Sequence, residues 1–233
     1  MKILAIDSSG LVATVAIVTE ETVLAEYTVN FKKTHSQTLL PMLDEISKMV
    51  ELNLSEVDAI AVAAGPGSFT GLRIGSATAK GLGLALDKPI IPIPTLEGMA
   101  YNFHGTDKLI CPMMDARRNQ VYTGLYESKG YELRTILPQT ALSIEEIIEN
   151  LNSYGREVLL LGDGSTAYRE ILTEKLTVPY RFAPIHLSRQ RAGALGALAI
   201  LYYKSDRMET ATEHEPVYLR LSQAERERAE RQQ

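Results

Sequence analysis

The chain is poor in the residues that build disulfide frameworks, metal centres and stacking platforms. Its 233 residues include one cysteine, no tryptophan and four histidines. A single cysteine excludes an intrachain disulfide and suits a reducing compartment. The histidines all lie too far apart in sequence to give the H-x₃₋₅-H pair that binds zinc or iron, and they are His35, His104, His186 and His214. We therefore expect no metal site in this chain.

A strongly basic balance and long apolar runs are also missing. The formal net charge of −5 argues against a chain that binds nucleic acid by itself, because neutralising phosphates requires a basic surface. No apolar run approaches the roughly 20 residues of a membrane span, and no signal-peptide core follows Met1. Apolar residues make up 45% of the chain, which is enough for a packed core. We expect a soluble, cytoplasmic α/β protein.

The stretch from Asp58 to Leu86 carries the strongest local pattern. Its apolar run 59–64 ends in Gly65-Pro66-Gly67, which predicts a buried strand and a tight loop, and Ser68 or Thr70 then caps a helix. Strand, glycine loop and helix N-terminus can bind an anion. However, the GxGxxxG spacing fits neither the dinucleotide nor the P-loop fingerprint, and the GxSxG motif of esterases is also absent here.

The helix after this loop repeats a small residue every four positions, at Gly71, Gly75, Ala79 and Gly83. Residues with this spacing share one face of a helix. Glycine inside a helix costs about 1 kcal/mol relative to alanine, so the stripe needs a reason. Two interpretations remain open. The helix packs closely on its own sheet, or this face or the one beside it belongs to a partner.

The order of predicted elements is the same in both parts of the chain. Each part has three strands, a helix, a strand, a glycine loop and a further helix. Two β-β-β-α-β-α halves predict a duplicated actin-like or Hsp70-like fold of the α/β class, the ASKHA and RNase H-like architecture. We place the halves at residues 1–104 and 105–221. Residues 222–233 alternate Glu and Arg and are predicted to form a charged tail.

In folds of this kind the cleft between the halves binds ATP, and the first hairpin of each half faces a phosphate. Asp7-Ser8-Ser9 lies at the first of these turns, where Ser9 replaces the usual glycine and hinders backbone approach. Asp115 heads the second turn and could hold a metal through water, and Arg117-Arg118 could meet an anion. Gly162-Asp163-Gly164 resembles a shortened adenosine-side loop. The alternative is that all of these are ordinary turn residues.

The candidate residues allow three functional classes to be compared. A phosphotransferase would use Asp7 and Asp115, but it also needs a cradle of open backbone amides, which Ser9 weakens. A peptidase is the least favoured class, because the sequence offers neither a nucleophile elbow nor a metal pair, and Cys111 lies in a predicted strand. The third class is a subunit without catalytic residues of its own.

Four motifs favour this third class, because together they resemble the TsaB (YeaZ) family from end to end. They are ILAIDSS at 3–9, GPGSFTGLRIG at 65–75, CPMMDARRNQVY at 111–122 and PVYLR at 216–220. The resemblance implies a bacterial, cytoplasmic, non-catalytic scaffold or activator with the duplicated actin-like fold. That family is needed to make threonylcarbamoyladenosine beside the anticodon of tRNAs that read codons starting with adenine.

The resemblance also implies partners. A TsaD-like paralogue would hold a metal through a histidine pair and transfer the threonylcarbamoyl group to the adenosine N6. A small TsaE-like P-loop ATPase would join at the junction of the two. ATP and metal are accordingly expected in those partners and no cofactor in this chain. tRNA would be reached only through the complex, and a homodimer is an alternative assembly.

The interface implied by the resemblance uses the helices predicted at 36–50 and 71–86, which would form a four-helix bundle with the partner. The small stripe would permit close crossing, and apolar side chains of the first helix would supply buried area. The residues assigned to this interface are Leu39, Met42, Leu43, Ile46, Gly71, Arg73, Gly75, Ala79 and Gly83.

Overall fold

Two five-stranded sheets frame the molecule in a computed structural model that describes residues 1–31, 34–130 and 132–220. The tail predicted at 222–233 lies outside the described residues. The strands of the first sheet are β1 (Lys2–Asp7), β2 (Ala13–Thr19), β3 (Val23–Val29), β4 (Ala59–Gly65) and β5 (Ile90–Pro94). Those of the second are β6 (Leu109–Arg117), β7 (Gln120–Lys129), β8 (Glu132–Ser143), β9 (Val158–Leu161) and β10 (Tyr180–Phe182).

The two sheets have the same topology. The first runs β3-β2-β1-β4-β5 and the second runs β8-β7-β6-β9-β10. In each, the first three strands form an antiparallel meander, and the remaining two pair in parallel beside the first strand. The central strands are buried along nearly their whole length, as expected for strands that are covered on both faces. The predicted duplication is confirmed.

Seven α-helices cover these sheets within the described residues. They are α1 (His35–Met49), α2 (Phe69–Leu86), α3 (Thr95–Ala100), α4 (Ile144–Tyr154), α5 (Asp163–Ala167), α6 (Arg169–Lys175) and α7 (Ala192–Lys204). Local sequence explains several starts. Ser68 caps α2 by accepting a hydrogen bond from the Gly71 amide at 3.3 Å, and Ser143 with Glu146 forms a capping box on α4.

Helix α7 packs on the first half, although the predicted boundary assigns it to the second. Although α7 follows the second sheet in sequence, its Leu195 and Leu198 pack against Ile3 and other residues of the first sheet. The range 105–221 is therefore not one spatial unit. The physical reason is the composition of α7, which is apolar around most of its circumference and is almost completely buried. Such a helix requires a covered position, and the outer face of the first sheet provides one.

The residues assigned to a partner interface lie mostly inside the first half. The side chains of Leu39, Met42, Leu43 and Ile46 are between 1% and 5% exposed, because α1 packs them on the first sheet. The small stripe of α2 faces the same sheet. A Cβ atom added to Gly75 would lie 2.6 Å from the Ser8 hydroxyl.

The rest of the stripe is equally enclosed. Gly71 packs directly on the Ser8 carbonyl, Ala79 is fully buried and a Cβ added to Gly83 would lie 2.9 Å from the Ala211 side chain. Of the nine assigned residues, only Arg73 is exposed. The assignment of the other eight to a partner is therefore corrected, because close packing within their own half already occupies them.

Two glycines of α2 should respond in opposite ways to the same substitution. We expect Gly75→Ala to lower the free energy of unfolding by about 1–3 kcal/mol, because the added methyl overpacks against Ser8. Gly81→Ala is the matched control. An added Cβ there meets no described atom within 4 Å, so the change should stabilise the helix by about 1 kcal/mol. Urea unfolding of both variants checks this, and equal effects at the two positions would contradict it.

Candidate functional site

A cleft of about 730 Å³ lies where the two halves meet. Its walls come from seven places in the chain, which are the β1–β2 turn, the starts of α1, α2 and α5, the end of β6, β7 and the segment after α7. Representative lining residues are Ser9, Ser68, Asp115, Arg117, Asp163 and Arg220. The cleft lies between the two repeats and has a mixed polar and apolar lining, so it is the candidate site for a ligand.

The first turn satisfies its own polar groups. The Ser9 amide and the Ser9 hydroxyl donate hydrogen bonds to Asp7 Oδ1 at 2.8 and 2.6 Å. Asp7 is 2% exposed, and burial raises its pKa to about 6, although the two bonds from Ser9 and the nearby His35 act in the opposite direction. The amide that would approach a phosphate is thus directed at Asp7, and the carboxylate that would assist a metal is held by the same turn.

The start of α2 is packed onto this turn. The Ser68 amide donates to the Ser9 carbonyl at 2.6 Å, and the Ser8 hydroxyl donates to the Gly71 carbonyl at 2.8 Å. Gly67 permits this contact because a Cβ atom there would collide with the Ser9 carbonyl. Ser8 therefore faces α2 and not the cleft.

The second turn is also held by its own backbone. Asp115 Oδ1 accepts a hydrogen bond from the Arg117 amide at 2.8 Å and from the Tyr168 hydroxyl at 3.3 Å. Arg117, Arg118 and Asn119 all have left-handed backbone conformations, with φ between 57° and 62°. This strained turn presents Arg117 to the cleft wall.

The second glycine loop is closed against β6. The Gly162 amide donates to the Ser188 carbonyl at 2.8 Å, and both Gly162 and Gly164 pack against Met113 without room for a Cβ. Asp163 Oδ1 accepts from the Asp115 and Gly164 amides at 3.2 and 3.0 Å. Burial raises the pKa of Asp163, against the effect of these hydrogen bonds and of Arg189. The loop therefore packs on β6, the neighbouring strand of its own sheet.

Of the residues assigned to a degenerate nucleotide cleft, the structure brings Ser9, Asp115 and Asp163 to its wall. Asp7 and Ser8 lie beneath the wall, and the two glycines of the second loop are turned into the core. The sequence predicted no role for Tyr218 or Arg220, which also line the cleft. The sequence did contain a signal for these two residues, because both belong to the PVYLR motif at 216–220.

Other reactive groups are accounted for within the described ranges. Burial raises the pKa of the Cys111 thiol to about 12, which leaves it unreactive at neutral pH. Residues 1–31, 34–130 and 132–220 contain no group of three or more His, Cys, Asp or Glu side chains that could hold a metal ion. Nor does any helix in those ranges have the length and apolar character of a membrane span.

Comparisons with known proteins agree with this architecture. The family model of TsaD, tRNA N6-adenosine threonylcarbamoyltransferase, matches residues 22–228. The Bacillus subtilis tRNA threonylcarbamoyladenosine biosynthesis protein TsaB is 36% identical over 227 residues, which is 97% of this chain and 96% of that protein. The solved structure of YeaZ from Pseudomonas aeruginosa superposes with a TM-score of 0.79 at 28% identity, covering 94% of this chain and 99% of that one.

A more distant structure has the same fold. Component A of (R)-2-hydroxyglutaryl-CoA dehydratase from Acidaminococcus fermentans gives a TM-score of 0.51 at 12% identity, over 88% of this chain and 99% of that chain. The actin-like fold predicted from the two repeats is thereby confirmed. Because the B. subtilis relative matches along nearly the entire length, and the Pseudomonas structure does so in three dimensions, the chain belongs to the TsaB family.

Proposed function

We propose that this protein is a non-catalytic scaffold or activator subunit in the synthesis of threonylcarbamoyladenosine. It supports transfer of the threonylcarbamoyl group to N6 of the adenosine beside the anticodon, in tRNAs that read codons starting with A. It acts with a TsaD-like paralogue and a TsaE-like ATPase, and these partners supply ATP and metal. The complex acts in the cytoplasm, and this chain meets tRNA indirectly, through the complex.

The hydrogen bonding within the first turn, from Ser9 to Asp7, is the observation that most supports a non-catalytic role. Competent phosphoryl transfer requires open backbone amides for the phosphates and a free carboxylate for the metal. Here the Ser9 amide and the Asp7 carboxylate are bonded to each other. The second loop, at Gly162 and Gly164, is packed on β6. These contacts disfavour the phosphotransferase, and the buried Cys111 and the absence of a GxSxG motif at Ser68 disfavour the peptidase.

The outer faces of α1 and α2 are the surface we assign to the partner. On α2, the exposed residues Ala77, Gly81 and Ala85 repeat every four positions, and Leu84 beside them is 65% exposed. This second small stripe lies away from the sheet and would let another helix approach closely. On α1, which contacts α2, Leu40 is 55% exposed and offers further apolar area. A TsaD-like chain or a second copy of this chain would complete a four-helix bundle there.

A single charged substitution tests whether the second small stripe of α2 contacts a partner. We expect Leu84→Asp to weaken association with the TsaD-like partner by about tenfold or more, because it places a carboxylate in the centre of a helix–helix contact. Calorimetric titration of the purified proteins measures the affinity, and light scattering of the chain alone reports a homodimer that uses the same face. Ile185→Asp is the matched control, since Ile185 is 93% exposed on the other half. Unchanged affinity in Leu84→Asp, with the fold intact by circular dichroism, would remove the stripe from the interface.

The closed turns predict the behaviour of the isolated chain toward nucleotide. Calorimetry with ATP and magnesium should show no saturable binding at millimolar nucleotide, because the Ser9 amide and the Arg117 amide are already bonded to the carboxylates of their own turns. A TsaE-like P-loop ATPase under the same conditions is the positive control. Tight binding with turnover would instead support the phosphotransferase.

The assignment to tRNA modification has a direct test in cells. Depletion of this protein should lower the threonylcarbamoyladenosine content of tRNAs that read codons starting with A, as measured by mass spectrometry of tRNA nucleosides. Expression of the unaltered chain should restore it, whereas a chain with Leu84→Asp should not. Full retention of the modified nucleoside after depletion would defeat the proposed function.

A further inference from the structure

The segment that follows α7 returns along the first half before it reaches the cleft. Glu209 forms an isolated antiparallel bridge with Ile90, through reciprocal backbone hydrogen bonds of 2.9 Å. Further on, Lys80 of α2 donates to the carbonyls of Thr212 and His214 at 3.1 and 2.9 Å. The segment is thereby anchored to β5 and α2 of the first half.

At the mouth of the cleft the segment makes a second set of contacts with the first half. The Val217 amide donates to the Ala64 carbonyl at 2.7 Å. The Val217 carbonyl packs so closely on Gly65 that a Cβ there would collide with it. Next along the chain, the Tyr218 ring lies 4.6 Å from the ring of Phe69, centroid to centroid, at the start of α2.

The same segment then crosses to the second half. Arg220 donates from its Nη1 to the Ala116 carbonyl at 2.7 Å, at the end of β6. Three residues after the Val217 contact, the chain is therefore bonded to the opposite wall. Tyr218, Leu219 and Arg220 line the cleft between these two attachments. β8 adds one further tie from the second half, because Gln139 donates to the Gly65 carbonyl at 3.1 Å.

We propose that residues 216–220 form a latch that closes the mouth of the cleft and sets the angle between the two halves. In two-domain proteins that close on a ligand, the bound molecule bridges both walls and fixes the closed arrangement. Here the polypeptide itself bridges the walls, with Val217 bonded to one and Arg220 to the other. As part of the same chain the bridge has a high effective concentration and needs no ligand. The inference does not depend on the proposed function.

The latch can be opened from either end. Val217→Pro removes the amide that donates to Ala64, and Val217→Ala is its control, because it retains the amide and shortens only a side chain that is 48% exposed. Arg220→Met removes the donor to Ala116 at nearly constant length. Arg118→Met is the matched control for lost charge, since Arg118 is exposed on the neighbouring turn but does not line the cleft.

The angle between the halves can be measured in the full chain without partner or tRNA. Spin labels at Glu45→Cys in α1 and Glu149→Cys in α4 report the distance between the halves by double electron–electron resonance. The native Cys111 is buried and its thiol pKa is raised to about 12, so it does not compete for the label. Hydrogen exchange at the Val217 amide, which donates to the Ala64 carbonyl, reports independently whether the latch is seated.

We expect Val217→Pro and Arg220→Met to broaden and shift the distance distribution, and Arg220→Met to speed exchange of the Val217 amide by about tenfold or more. The two controls should match the unaltered chain. Faster exchange with an unchanged distance distribution would overturn the proposal, since the latch would then be open without effect. An Arg118→Met effect as large as that of Arg220→Met would also overturn it. If Val217→Pro fails to fold, Arg220→Met decides the outcome alone.

Discussion

The contact of α2 with the β1–β2 turn is the constraint on which the rest of the structure depends. Gly67, Gly71 and Gly75 bring the helix backbone against Ser8 and Ser9 at distances that no side chain would allow. Because of this approach, the helix start and the turn exchange hydrogen bonds directly. Three glycines inside or beside a helix carry a cost in backbone entropy.

The position of α2 decides which of its faces is available to another protein. Once the stripe from Gly71 to Gly83 is buried on the sheet, the helix leaves its opposite side to solvent. That side carries the second small stripe, Ala77, Gly81 and Ala85, beside the exposed Leu84. A helix with small residues on two sides can pack closely on its own domain and still accept a partner. The same element thus packs closely on its own sheet and leaves a second face of small residues exposed.

The walls of the cleft are held by contacts within the protein. Both turns that would face phosphates use their carboxylates internally, Asp7 with Ser9 and Asp115 with the Arg117 amide. The walls are joined by the chain segment that carries Val217 and Arg220. The Ser9 and Arg117 amides, which could otherwise meet a ligand, are bonded to carboxylates of the protein. Such an arrangement favours a fixed relation between the halves, which suits a subunit that presents a surface to its partners.

The sequence alone determined the elements, the duplication and the fold class, because hydrophobic periodicity, glycine loops and caps such as Ser68 and Ser143 act over a few residues. It did not determine which small stripe of α2 faces the sheet, since the two stripes share the same four-residue repeat and have nearly the same composition. Nor did it show that α7 returns to the first sheet, or that Tyr218 and Arg220 cross the cleft. Those facts depend on contacts between residues far apart in the chain, and only tertiary packing selects among them.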